Sequence, residues 1–354
     1  MDSPRQTRKL QKNGGSTYVI SLPRSWVDGM HLKTGDGISV SVNVNNSLTI
    51  SPDVSLVDNS QAVAAVGPKD SDESIRRKVV AMYLAGYGSI KIMAKGIRLG
   101  PGQLNTVRKF IRSSMVGTEI VESSSEYITI KILTRLPELT FSTGLVRMCK
   151  MTTEMHREAL EAVQSRDAEY AKEVVKLDDE IDRFTFYMLR NLNMAVSNAS
   201  VMQEMSLGSP TDCMYYRTAV SRIERVADHA ALIAKRVKYL SEDVDTEIMS
   251  RIQDLSVSVM DIFSMSIDAL VSSDYASAED ISRHLPHMEA AQEELMMSIK
   301  KSSPDVTVIK FILDSIRRSL EYTADIAEVV MDLNIGRIID VNVPHHDLVK
   351  TLAG

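Results

Sequence analysis

The chain has 354 residues, of which 44% are hydrophobic and 25% are charged, and its formal net charge is −6. This length suits two or three domains, and the composition is that of an ordinary soluble globular protein. Two cysteines exclude a disulfide framework and a thiolate metal cage. The sequence has neither an uninterrupted apolar run of membrane-spanning length nor a signal-peptide pattern, which predicts a cytoplasmic protein without an integral membrane segment.

The charge is divided unevenly along the chain. Residues 1–136 carry 18 Lys and Arg against 11 Asp and Glu, whereas residues 137–354 carry 23 against 36. The front is therefore basic and the back is acidic. This division predicts a polyanion as the partner of the first part, and cations or a basic protein surface as the partner of the second.

Residues 1–52 have the pattern of a small β domain. The stretch "STYVISLP" is β-branched and apolar, "GISVSVNV" alternates with period two, and "SLTIS" follows an Asn-Asn turn. We expect a short helix between them, from Arg24 to about Met30. About fifty residues of short strands bury too little apolar area to fold alone, which favours pairing with a second copy.

Residues 53–136 are predicted to contain a linker and a small α/β module. A loop is expected over 53–72, followed by a helix from "ESIRRKVVAMYL", a strand from "SIKIM", a second helix beginning near Pro101, and a hairpin over "TEIVESSSEYITIKIL". The loop "KGIRLGPGQ" lacks the Gly-Lys-Ser/Thr ending of a nucleotide-binding loop, so we interpret it as a turn.

Helical periodicity dominates from Thr140 to about residue 335. Six segments are predicted, over about 140–165, 168–205, 211–240, 244–272, 275–302 and 306–335. Two sequence frames recur, at offsets of about 111 and 97 residues, which indicates two copies of a three-helix unit. The predicted bundles cover residues 137–241 and 242–336, and a tail covers 337–354.

Acidic pairs recur in both copies at a spacing of four residues, which places both carboxylates on one helix face. Converging carboxylates offer an oxygen-rich site for iron, zinc, manganese or magnesium, whereas an isolated pair is more often only a solvated face. No organic cofactor is expected. The candidate metal ligands are Asp178, Asp182, Glu224 and Asp228 in the first copy, and Glu289, Glu293, Glu321 and Asp325 in the second.

The motif "LDDEIDRF…RIERVADHAALIA" and its weaker echo "MEAAQEEL…SLEYTADIAEVV" resemble the PhoU family of phosphate-uptake regulators. The resemblance covers residues 140–335 and implies tandem metal-binding three-helix bundles that contact the ATPase of a phosphate transporter. In the second copy Ile326 stands where the first has His229, and Glu293 stands where the family usually has Asp.

The stretch "TYVISLPRSWVDGMHLKTGDGISV" resembles an AbrB/MazE-type swapped-hairpin DNA-binding domain. The combination is similar to archaeal-type PhoU proteins that carry this domain at the N-terminus, and it implies a DNA-binding homodimer. The fold class expected is therefore multidomain: a small all-β swapped-hairpin domain, a small α/β module, and all-α tandem bundles. The candidate DNA-binding residues are Arg5, Arg8, Lys9, Lys12 and Arg24.

Three functions remain open on the sequence alone. The first is a DNA-binding regulator of phosphate homeostasis, with the acidic bundles as its metal- or partner-sensing body. The second is a transporter-associated adaptor in which the N-terminal domain only dimerises and its basic residues form a solvated tail. The third, a carboxylate-bridged metalloenzyme, is disfavoured because the Glu-x-x-His pairs of di-iron bundles and a nucleophile–base constellation are absent from the sequence.

Overall fold

The computed structural model describes residues 7–15, 17–42, 47–52, 60–133, 140–241, 246–299 and 305–339. The chain divides into two compact units, residues 1–58 and residues 59–354. The first unit contains the small β domain, and the second contains both the α/β module and the helical bundles. Arg5 and most of the predicted C-terminal tail lie outside the described residues.

The first unit consists of two short antiparallel hairpins joined through one helix. Strands β1 (Gln11–Asn13) and β2 (Thr17–Val19) form one hairpin, and β3 (Ile38–Val42) and β4 (Leu48–Pro52) form the other. Helix α1 (Arg24–Gly29) lies between them and begins directly after Pro23, which fits the predicted helix from Arg24. The polar β1 was not predicted, because Gln-Lys-Asn carries no strand pattern.

The described residues of the first unit form no buried hydrophobic core. No residue of this unit whose side chain the structure describes is buried. Its strands instead present large apolar side chains to solvent: Tyr18 is 62% exposed, Val42 is 72% exposed and Leu48 is 62% exposed. Its apolar surface is therefore still uncovered in a single chain.

The α/β module has a four-stranded sheet with helices against one face. The strand order is β5 (Gln61–Val66), β6 (Ser89–Ala94), β8 (Tyr127–Ile132) and β7 (Thr118–Ser123), with β5 and β6 parallel and the other pairs antiparallel. Helices α2 (Asp72–Leu84) and α3 (Pro101–Ser114) connect the strands. The core lies between helices and sheet and contains Val79, Tyr83, Ile90, Ile92, Ile111, Ile128 and Ile130.

The prediction of a continuous loop over 53–72 was wrong for residues 61–66, which form the edge strand β5. The segment "QAVAAV" is rich in alanine, which has low strand propensity, so the local sequence gives little β signal. The strand is held by parallel pairing with β6, which is a contact between residues nearly thirty positions apart.

The helical region follows the six predicted segments closely. The first bundle contains α4 (Phe141–Ser165), α5 (Ala168–Ser197), the short α6 (Ala199–Glu204) and α7 (Pro210–Ala234). The second contains α8 (Thr246–Ser272), α9 (Tyr275–Ser298) and α10 (Val306–Asn334). Asp167, Ser209 and Asp274 accept hydrogen bonds from the first-turn amides of α5, α7 and α9, which explains where those helices begin.

Helix α5 belongs to both the first bundle and the α/β module. Arg190 on α5 is only 6% exposed and donates to the carbonyl oxygens of Tyr83, Gly86 and Tyr87, where α2 ends. Its guanidinium carbon also lies 4.9 Å from the centre of the Tyr83 ring. One turn further, Asn193 Nδ2 donates to Leu84 O at 2.8 Å. A cation at the C-terminal end of a helix also interacts favourably with the helix dipole.

Arg190→Met should destabilise the second unit, because its hydrogen bonds to three carbonyl oxygens, one buried and two partly buried, are lost. We expect the free energy of unfolding to fall by about 2–4 kcal/mol, measured by urea denaturation. Arg183→Met provides a matched control on the same helix, since Arg183 is 37% exposed and its carboxylate partner Glu180 is 3.9 Å away. Equal losses for the two variants would contradict the bridging role of Arg190.

Candidate functional site

The first acidic cluster lies where α5 packs against α7. Asp178 and Asp182 are one turn apart on α5, and Glu224 and Asp228 are one turn apart on α7. Ile181 and Ile223 beside them are fully buried, so the carboxylates lie at the edge of the bundle core. The structure therefore brings together the four carboxylates that the sequence predicted as metal ligands for the first copy.

Burial and mutual repulsion make three of these carboxylates harder to ionise. Burial, followed by the charge of Asp228, raises the pKa of Asp178 to about 6. Burial, followed by the charge of Asp178, raises the pKa of Asp182 to about 6. Burial and the neighbouring Asp228 raise the pKa of Glu224 to about 7. The cluster therefore holds more negative charge than its surroundings compensate.

The same carboxylates do not enclose a single point in this conformation. Across the described part of the chain, no three His, Cys, Asp or Glu side chains are arranged so that they could hold one metal ion. Arg225 lies beside two of the four, with Nη1 2.9 Å from Asp228 and Nε 3.6 Å from Glu224. The cluster is thus electrostatically coupled, and side-chain rearrangement is needed before it could chelate a cation.

The second acidic cluster, between α9 and α10, is compensated by arginines. Arg317 pairs with Glu321 and lies 2.8 Å from Asp314, and Arg318 lies 2.9 Å from Glu321. Asp325 is 2.7 Å from Arg222, which comes from α7 of the other bundle. Glu289 and Glu293 on α9 are exposed to solvent. The four predicted ligands of this copy are therefore divided among ion pairs and solvent, and they do not fit a metal site.

The difference between the copies is visible in the sequence once the flanking residues are aligned. At the offset of 97 residues, Arg317 and Arg318 correspond to Val220 and Ser221. A comparison of the acids alone misses these cations. The two repeats therefore share the spacing of their carboxylates but differ in the residues that neutralise the carboxylate charge.

A buried histidine, which the sequence pattern did not single out, lies behind the first cluster. His156 on α4 is fully buried, with Nε2 3.0 Å from Val226 O and 3.1 Å from Ser319 Oγ. Burial lowers the pKa of His156 to about 4, so the ring is neutral at physiological pH. It joins α4, α7 and α10 where the bundles meet. His229 is half-buried, and its ring centre lies 5.8 Å from that of Tyr322.

The predicted DNA-binding residues in the described part of the first unit lie at its surface. Arg8, Lys9 and Lys12 are exposed on or before β1. The Arg24 side chain is 94% exposed, with Nε 3.4 Å from Asp28 in an i, i+4 ion pair on α1. Exposed pairs of this kind are weak, so Arg24 remains available to an anionic ligand.

Comparison with known families agrees with this architecture. The PhoU domain model matches residues 145–237, which cover most of the first bundle including its acidic cluster. The model for the MazE antitoxin, described as antidote-toxin recognition, matches residues 11–63. The chain contains a PhoU domain and, at its N-terminus, a MazE-type domain. Neither match extends over β6, α3, β7 and β8 of the α/β module.

Similar full-length proteins are named PhoU homologues. The phosphate-specific transport system accessory protein PhoU homologue of Clostridium acetobutylicum is 24% identical over 206 residues, covering 56% of this chain and 92% of that protein. The homologue of the same name from Streptococcus pneumoniae serotype 4 is 24% identical over 200 residues, covering 54% and 91%. The aligned part of this chain therefore spans nearly the whole length of each relative.

Two solved structures are similar at lower sequence identity. The crystal structure of the phosphate transport system regulatory protein PhoU from Streptococcus pneumoniae gives a TM-score of 0.47 at 21% identity, covering 57% of this chain and 96% of that one. The crystal structure of PhoU from Pseudomonas aeruginosa gives 0.46 at 18% identity, covering 55% and 96%.

One helix of the described residues, α8, is long and apolar enough to cross a membrane by length and composition. Its most apolar window has a mean hydropathy of 1.5, and half of that window is buried within the bundle. Phe263 and Ile267 on this helix belong to the bundle core. The apolar character of α8 is thus partly explained by packing against α4, α9 and α10.

Asp182→Asn should stabilise the metal-free protein near pH 7 and have little effect near pH 4. The pKa of Asp182 in the folded state is about 6, above its ordinary value of 3.8. Between about pH 4 and pH 7 the folded state therefore binds more protons than the unfolded state. Stability therefore falls as the pH rises from about 4 to about 7, and the amide removes that loss. The measurement is the melting temperature across this pH range in a chelating buffer.

Glu321→Gln is the matched control for this pH series, because Glu321 is paired with Arg317 and Arg318. We expect this variant to lower the melting temperature at pH 7 or to leave it unchanged. A rise of equal size in both variants would mean that the two clusters are electrostatically alike, in contradiction to the ion pairs.

Proposed function

We propose that this protein is a regulator of phosphate transport whose N-terminal unit dimerises and binds duplex DNA, with the helical bundles as the metal- or partner-sensing body. The observation that carries the proposal is the presence of a MazE-type domain and a PhoU domain on one chain. The names of the similar proteins, which are accessory proteins of phosphate-specific transport, support the phosphate part. The proposed role is regulatory rather than catalytic, and its place is the cytoplasm.

The absence of a core among the described side chains of the first unit supports dimerisation. Burying one Leu, Val or Ile side chain stabilises a fold by about 1.5–3 kcal/mol. The described residues of this unit leave several such side chains exposed: Leu10, Val19, Ile20, Ile38, Val40, Val42 and Leu48. A second copy that covered these side chains would supply the core that a single chain lacks. This is the reason for proposing a homodimer through the N-terminal unit.

The basic residues of the first unit support a nucleic-acid ligand. Arg5, Arg8, Lys9 and Lys12 lie within the first twelve residues, Arg24 follows on α1, and a two-fold dimer doubles their number. Each Lys or Arg that neutralises a phosphate releases counterions, so such binding weakens steeply with salt. Arginine side chains could also donate to guanine edges in the major groove.

The first acidic cluster supports a metal-sensing role for the first bundle. Asp178, Asp182, Glu224 and Asp228 provide the hard oxygen donors that magnesium, manganese, iron or zinc accept. The raised pKa values of three of them indicate uncompensated charge that a cation would neutralise. Bound metal would supply that positive charge, and the carboxylates of α5 and α7 would hold it. Binding is then expected to release protons near pH 6.

The alternative is an adaptor in which the N-terminal unit only dimerises and the bundles contact the ATPase of a phosphate transporter. The names of the similar proteins favour it, because they describe accessory and regulatory roles in transport and do not mention nucleic acid. The two proposals differ in whether the basic residues of the first unit have a ligand. DNA binding by the purified dimer separates them.

Replacing Arg8, Lys9 and Arg24 by Ala should weaken DNA binding while the dimer persists. We expect the wild type to bind duplexes at low salt with a strong salt dependence, and the triple variant to lose at least about tenfold in affinity. Binding is measured by fluorescence anisotropy and the dimer by analytical ultracentrifugation.

The control replaces Lys150, Lys238 and Lys310 of the bundles by Ala, which removes the same charge from exposed positions. We expect the control to bind as the wild type does. A wild-type dimer that binds no duplex at low salt would favour the adaptor.

Calorimetric titration with Mn²⁺ should detect binding that depends on the first cluster alone. We expect Asp178→Asn with Asp182→Asn to remove it, because half of the ligand set is lost. The matched pair Glu289→Gln with Glu293→Gln should leave it unchanged, because Glu289 and Glu293 are exposed to solvent and the arginines of that copy neutralise Glu321. Equal loss in both double variants would contradict the assignment of metal to the first bundle.

A further inference from the structure

The α/β module is basic, and most of its cations form no ion pair within the described part of the chain. Residues 60–133 contain eleven Lys and Arg against six Asp and Glu, a formal charge of +5. Among the described residues, only Arg76 and Lys78 of these eleven form ion pairs, with Glu73 and Asp70. The acidic bundles neutralise their own cations much more fully, as the ion pairs of α4, α5, α9 and α10 show. The module therefore has uncompensated positive charge.

Helix α3 concentrates this charge on one exposed face. Arg108, Lys109 and Arg112 are all exposed, and their spacing of one, three and four residues places them on adjacent turns. The helix contains no Asp or Glu over its fourteen residues. Arg108 donates to Ser123 Oγ at 2.9 Å, which fixes one of the three relative to β7. We call these three residues the α3 basic face.

The buried side of α3 fixes the direction of this face. Val107 and Ile111 lie in the module core, each 2% exposed, so the side of the helix away from them faces solvent. At its N-terminal end, Gln103 Nε2 donates to Gly67 O at 2.9 Å, which ties the helix to the end of β5. The three cations are therefore presented by a rigid element rather than by a loop.

The chemistry of this face identifies the class of partner. The other exposed positions of α3 are Pro101, Gly102, Asn105 and Ser113, so the exposed face of the helix carries no large apolar side chain. Protein interfaces depend on buried aromatic and aliphatic anchors, and membrane-surface helices insert an apolar side. A rigid array of cations without such anchors matches a phosphate backbone, which is recognised mainly by charge.

We propose that the α3 basic face is a second DNA-contacting surface, which binds the phosphate backbone of duplex DNA. The inference rests on the proposed DNA-binding function and extends it to a helix that neither family match covers. Its partners are phosphates, so it adds affinity without sequence preference. The module follows the N-terminal unit directly in the chain, and both precede the acidic bundles.

The test replaces Arg108, Lys109 and Arg112 by Gln in the full-length protein. Gln retains helix propensity, and the three side chains are exposed, so circular dichroism and urea unfolding should match the parent. We expect the affinity for a labelled duplex to fall at least about tenfold at low salt. The slope of log K against the logarithm of the salt concentration is negative, and its magnitude should decrease by about 0.9 for each phosphate that the protein no longer neutralises.

The matched control replaces Lys150, Lys238 and Lys310 by Gln, which changes the net charge equally but outside the module. We expect the control to keep the parent's slope. If the α3 variant and the control both bind like the parent, the α3 basic face is a solvated surface and the inference is wrong. Loss of affinity for anionic phosphatidylserine vesicles, with DNA binding unchanged, would also overturn it in favour of a membrane surface.

The N-terminal variant with Arg8, Lys9 and Arg24 replaced by Ala separates this inference from the proposed function. If that variant loses binding and the α3 variant does not, the proposed function stands and the inference fails. If the α3 variant loses binding and the N-terminal variant does not, the module is the DNA-contacting element and the N-terminal assignment fails. Losses in both, with smaller salt slopes in each, support the two surfaces together.

Discussion

Arg190 keeps a positive charge inside the protein, and its surroundings explain why the second unit is one body rather than two. The guanidinium meets the carbonyl oxygens of Tyr83, Gly86 and Tyr87, so the end of α2 in the module is satisfied by a side chain from the bundle. A buried cation is costly unless its hydrogen bonds are made, and these bonds form only when module and bundle are docked. The docking is therefore specific in position and in orientation.

Helix α5 carries part of the acidic cluster near its middle and contacts the basic α/β module through Arg190. Asp178 and Asp182 lie two to three turns before Arg190 on the same continuous helix. A displacement of α5 at the acidic cluster would therefore also move its contacts with the module, because a helix is stiff along its axis and its backbone hydrogen bonds are internal. The fold thus provides a direct mechanical connection between the carboxylates and the basic module.

The helices could be predicted from the sequence with good accuracy, because their apolar periodicity is long and their caps are strong. In the structure Asp167, Ser209 and Asp274 cap helices, one or two residues before the predicted starts at about 168, 211 and 275. Strand β5 was missed because its alanines give little local signal and its pairing partner is distant. The convergence of Asp178, Asp182, Glu224 and Asp228 followed from spacing, whereas Arg222 crossing from the other bundle to Asp325 depends on how the bundles pack.

The two bundles show how a duplicated motif can keep its spacing and change its electrostatics. In the second copy, two consecutive arginines stand where the first has Val220 and Ser221. Each arginine reaches a carboxylate within one turn, so the pairs stabilise the helix and leave little unbalanced charge. The first copy lacks these two arginines, and burial together with mutual repulsion raises the pKa of Asp178, Asp182 and Glu224.

The exposed apolar side chains of the first unit also bear on how the protein would respond to its own abundance. In the proposed homodimer, the stability of this unit depends on the protomer concentration. At low concentration the amount of dimer would then grow with the square of the concentration of free protomer. A modest rise in synthesis would therefore yield a disproportionate rise in dimeric N-terminal units. Expression level would therefore act as an input to this protein alongside any ligand of the bundles.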